Sequence, residues 1–148
     1  MGLFDKVSDI RRQTQITLGP AEAFMAIALI AISSDGFVAE TEIQAIQVAI
    51  YRMKLFNSYP SDVIRKMINN LLGIMERQGA NTLLNAAIAV LPHDLNETAF
   101  AVATDIILAD GEITEEEETL LNHLYQVLEI TEDIAAKIID VMLIKNRG

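Results

Sequence analysis

The sequence contains no cysteine and no tryptophan, few aromatic residues, and only 11 lysines and arginines against 21 aspartates and glutamates. Without thiols there is no disulfide, thiolate zinc centre, iron–sulfur cluster or cysteine nucleophile to consider. The formal charge of −10 argues against nucleic acid as a partner, because phosphate binding draws its affinity from clustered Lys and Arg. Cations or basic proteins suit such a chain better. A long hydrophobic run is also missing. The longest, Ala23 to Ile32, has ten residues, well short of the roughly 18–20 that a membrane span requires, and reads as a buried helix. The opening MGLFDKVSDIRRQ mixes Phe4, Val7 and Ile10 with charges at helical spacing. It lacks the apolar core and small-residue cleavage site of a signal peptide, which predicts a cytoplasmic protein whose mature chain starts here.

What is present is helical periodicity, and no alternating run rich in β-branched residues supports a strand. The expected class is all-α, one domain over residues 1–148 with about eight helices. A first helix is expected from about Phe4 to Gln13, then, after the LGP break at Leu18 to Pro20, the apolar helix of about Ala21 to Ser33. Ile43, Ile46, Ile50 and Met53 mark one face of a helix near Glu40 to Lys54, and Val63, Met67, Leu71 and Ile74 do so near Asp62 to Arg77. A short apolar helix ends at Pro92, and Asn96 starts one that reaches Ala109. Thr114 begins a helix carrying Leu120, Leu121, Leu124 and Leu128, and Thr131 caps a last one with Ile134, Ile138, Val141 and Met142 as its stripe.

Sliding the chain 75 residues against itself lays Asp35-Gly36-Phe37-Val38 on Asp110-Gly111-Glu112-Ile113, and Glu42 on Glu117. The helix stripes that follow also coincide, Ile46 with Leu121 and Met53 with Leu128. This pattern predicts an internal duplication, with pseudo-symmetric halves at about 21–77 and 96–145 that share one core.

Each acidic turn resembles the second half of a calcium loop, with Asp, Gly and Glu at the fifth, sixth and twelfth positions of an EF-hand. The first half, where further oxygens belong, is Ala31 and Ser33 in one copy and Ile106 and Leu108 in the other. A self-sufficient calcium loop is therefore not expected. A structural reading competes: Asp-Gly ends a helix at little steric cost, and Thr114 with Glu117 forms a capping box. Two features point toward metal. Glu42 persists although the capping position before it is Ala39, and Asp105 stands inside an otherwise apolar helix, where an unpaired carboxylate is expensive. The candidate ligands are therefore Asp105, Asp110 and Glu117 in the second copy, with Asp35 and Glu42 in the first. All-oxygen ligation favours Ca²⁺, Mg²⁺ or Mn²⁺, with zinc less favoured. His93 and His123 have no ligand-spaced partner, and no nucleophile elbow or phosphate loop is visible. No catalytic residue is assigned.

The duplicated Asp-Gly-x-(Ile/Val) turn with a glutamate seven after the aspartate resembles the TerB family of tellurite-resistance proteins and the related domain of DjlA-type membrane co-chaperones. GLFDKV near the start and DIILADGEITEEE in the second turn carry the same resemblance. It implies two pseudo-symmetric helical halves, acidic sites for divalent metal, and a stress-response role among other stress-response proteins. It also implies a place at the inner face of the membrane, beside an integral partner. Phe37 and Ala39 depart from the pattern and weaken the first turn as a metal site. Two other readings stand beside this one: a small metal-dependent hydrolase, and a purely structural domain that forms homo-oligomers.

Overall fold

A computed structural model describes residues 2–4, 16–33 and 38–147, with the side chain of Asp110 left out. Among these residues there are seven α-helices and no strand, as the periodicity leads one to expect. They are α1 (Pro20–Ile32), α2 (Glu40–Ile50), α3 (Ser61–Gln78), α4 (Ala80–Val90), α5 (Asn96–Ile107), α6 (Glu115–Val127) and α7 (Glu132–Lys145). Beyond its first residue, the helix expected over Phe4 to Gln13 lies outside the described residues.

The centre of the fold is α1. Every residue from Ala23 to Ile32 is buried, which is what a helix that is apolar all round requires. Its surroundings supply that cover: α4 and α5 make the most extensive contacts, α3 packs alongside, and α2 and α6 touch its flanks. Alanines at 23, 26, 28 and 31 leave room for the neighbouring helices to approach closely. On the far side, α5 is covered in turn by α7.

Three of the helix starts share one device. Glu22, Glu42 and Glu117 each stand three residues after the capping position and accept its backbone N–H, from Gly19 at 3.1 Å, Ala39 at 2.9 Å and Thr114 at 2.9 Å. Each bond satisfies one N–H that the first helical turn leaves unpaired. Only Thr114 completes the box with its own hydroxyl, which accepts from the Glu117 N–H at 3.1 Å; Gly19 and Ala39 have no such oxygen. Serine at position 39 supplies it. Ala39→Ser is therefore expected to stabilise the chain by about 0.5–1 kcal/mol, read as a higher urea midpoint with an unchanged slope.

Three expectations shift. The helix expected to reach Lys54 ends at Ile50 and gives way to turns over residues 51–59, stitched by Met53 N–H to Ile50 C=O at 2.9 Å and Phe56 N–H to Met53 C=O at 3.0 Å. Those turns bring Phe56 into the core. On α3 the buried face is Ile64, Ile68 and Leu71, with Met67 and Ile74 half-buried and Val63 exposed. On α7, Val141 is 55% exposed and Ala135 is the buried residue. Asn96 starts α5 as expected, and its side chain donates to the Leu128 C=O at 3.0 Å.

Candidate functional site

The end of α1 and the start of α2 face the end of α5 and the start of α6 across a cleft of about 660 Å³. Ile32, Ile106 and Ile107 give it an apolar base. Thr41, Glu42 and Ala45 line one wall, and Thr114, Glu116 and Glu117 the other. Two glutamates separated by 75 residues thus line the same space, where the sequence pattern pointed to two separate turns.

Local sequence fixes both side chains. The chain bends sharply before α6 because Gly111 adopts φ 81°, a left-handed conformation that glycine takes at no steric cost, and its N–H closes on the Leu108 C=O at 3.0 Å. The extended residue Thr114 then starts α6, and the capping bond draws one oxygen of Glu117 to the backbone. Glu42 is held in the same way before α2. A carboxylate offers about four acceptor directions over its two oxygens, so one backbone bond leaves most of that capacity for a cation or a donor. The same geometry removes one argument made from sequence. Glu42 does not need a capping side chain before it in order to cap, since it binds the Ala39 N–H directly.

The remaining candidates divide. Asp35 lies outside the described residues, and so does the side chain of Asp110, whose backbone belongs to a short 3₁₀ turn over Leu108–Asp110. Asp105 faces α7 and does not line the cleft. Its Oδ1 accepts from Lys145 Nζ at 3.1 Å and from Asn146 Nδ2 at 2.8 Å. The expense of a carboxylate on this helix is met by a cation of the protein itself, which sequence spacing gave no way to foresee. Because Lys145 is largely exposed, Asp105→Ala should cost about 1 kcal/mol or less and leave cation affinity unchanged, as urea unfolding and calorimetry would register. Among the described residues no group of three or more metal-ligating side chains converges.

Sequence reasoning missed a second cavity of about 330 Å³, floored by Ile30, Leu84 and Leu120 between α1, α4 and α6. His123, which is exposed, lies on its rim with Ser33 and Asn81. No local signal marks it, because its walls come from three helices distant in sequence. No helix among the described residues is long and apolar enough to cross a membrane. No protein-family model, curated protein or solved structure matches the chain.

Proposed function

We propose that this chain is a TerB-like, non-catalytic interaction domain of a stress-response system such as tellurite resistance, and that it holds a divalent cation in the cleft between its two acidic turns. One observation carries the reading: Glu42 and Glu117, equivalent under the 75-residue shift, line one cleft. Asp35 and Asp110 are the further ligands that the sequence repeat offers, while Asp105 is set aside because Lys145 already neutralises it. A joint site also answers the shortage of oxygens in each turn, since a cation of the Ca²⁺ type takes six to eight ligands and neither half-loop supplies them alone.

The proposed duplication has support in the packing. α1 and α5 lie against each other, α2 and α6 each touch both of them, and α3 and α7 each cover the central helix of their own half. Cytoplasmic location and an integral membrane partner belong to the same proposal. They rest on the resemblance to TerB proteins.

A second reading has an observation of its own. The capping bonds of Glu42 and Glu117 are sufficient reason for those residues to exist in a purely structural domain. Titration calorimetry with Ca²⁺, Mg²⁺, Mn²⁺ and Zn²⁺ decides between them. Saturable heat is expected for at least one of the three hard cations, and its absence for all four ions overturns the cation reading.

A further inference from the structure

The cleft and the smaller cavity are not independent. Glu116 lines both, so they meet at the first turn of α6. Both floors are apolar, with Ile106 and Ile107 in the cleft and Ile30, Leu84 and Leu120 in the smaller cavity. The rim carries three carboxylates, Glu42, Glu116 and Glu117, and no Lys or Arg among the described lining residues. We propose that these two adjoining hollows together dock a basic amphipathic helix of a partner protein, with apolar side chains on their floors and Lys or Arg against the acidic rim.

Charge selects the occupant. A chain of net charge −10 attracts a cationic segment over a distance, and a rim of one sign penalises neutral or acidic competitors. The floor selects the shape, because two apolar patches on either side of one helical turn suit anchors spaced at i, i+3 or i+4, and i+7. A second copy of this chain fits less well. Two copies of charge −10 repel one another. The inference rests on the interaction part of the proposed function and not on its cation part.

The test uses the full chain and a fluorescent synthetic helix of about 16 residues, with Leu at those anchor positions and Lys beside them. Control peptides carry Glu for Lys or Ser for Leu. Three variants are measured by anisotropy after circular dichroism confirms their helix content. Glu116→Lys reverses charge where the cavities meet, Ala45→Tyr fills the cleft wall without changing charge, and Glu118→Lys makes the same charge change outside the lining. The Leu/Lys peptide is expected to bind wild type at least about tenfold more tightly than either control peptide, a difference of ~1.4 kcal/mol. Glu116→Lys and Ala45→Tyr should each weaken it by a similar factor, and Glu118→Lys by less than about twofold. Absence of peptide binding overturns the proposal. So does equal weakening by Glu116→Lys and Glu118→Lys, or indifference to Ala45→Tyr, since either means attraction by bulk charge alone. Sedimentation that finds a wild-type dimer abolished by Glu116→Lys gives the hollows to a second copy and overturns it as well. A cation signal in calorimetry with no peptide binding sinks this inference alone, and the reverse result sinks the cation reading alone.

Discussion

Converting Glu42 and Glu117 together to glutamine is expected to weaken divalent-cation binding by more than about 100-fold while the chain stays folded. The two effects separate because each glutamate has two capacities. One oxygen accepts the N–H before the helix at 2.9 Å, and glutamine at the same position makes the same capping bond. What glutamine lacks is the negative charge that sets the affinity of an oxygen site for Ca²⁺ or Mg²⁺. Loss of a mere hydrogen-bonding partner around a metal already costs about 10–100-fold, so removal of two charged ligands costs at least that much. Calorimetry measures the affinity, and a urea midpoint within about 0.5 kcal/mol of wild type establishes that folding is intact. Alanine substitutions make a poorer test, since they remove the charge and the cap together. If the double glutamine variant binds cations as wild type does, any cation site lies outside this cleft.

Helix existence was legible in the sequence, and helix faces less so. The apolar run of α1 leaves little alternative to a buried helix, and Thr114 and Thr131 take the capping roles that their positions suggest, accepting from Glu117 N–H and Ile134 N–H. On α3 the pattern is ambiguous by construction: apolar pairs at 63/64, 67/68, 71/72 and 74/75 draw two parallel stripes about 100° apart. The buried residues, Ile64, Ile68 and Leu71, draw on both stripes, a choice made by α1 and α4 and not by α3 itself. The candidate site divides along the same line. Glu42 and Glu117, which the 75-residue shift lays on one another, both line the cleft. That the two share one cleft depends on α1 packing against α5, a contact between helices distant in sequence that no local spacing encodes. Asp105 does not line the cleft, and its partner Lys145, 40 residues away at the end of α7, is likewise beyond what local spacing encodes.

Phe24→Ala is expected to lower the unfolding free energy by about 3–5 kcal/mol, the cost of removing a buried aromatic ring and leaving a cavity. Phe24 and Phe56 are each 1% exposed, and their rings meet edge to face with centroids 5.9 Å apart and planes at 66°. The pair joins the central helix to the turns over residues 51–59, which follow α2 directly. Phe56→Ala should cost less than Phe24→Ala, because irregular turns can settle into the space a lost ring leaves, whereas α1 is held by helices on several sides. In a double-mutant cycle the edge-to-face contact should appear as a coupling of about 0.5–1.5 kcal/mol. Urea unfolding with a common slope measures all three variants. Native domains are stable by only about 5–15 kcal/mol, so Phe24→Ala alone removes a large fraction of the margin. Because Phe56 anchors the chain just beyond α2, Phe56→Ala is also expected to loosen the helix that carries Glu42, visible as faster amide exchange over residues 43–50. Unchanged exchange there would mean that Ile43, Ile46 and Ile50, all buried, hold α2 in place without help from the turns.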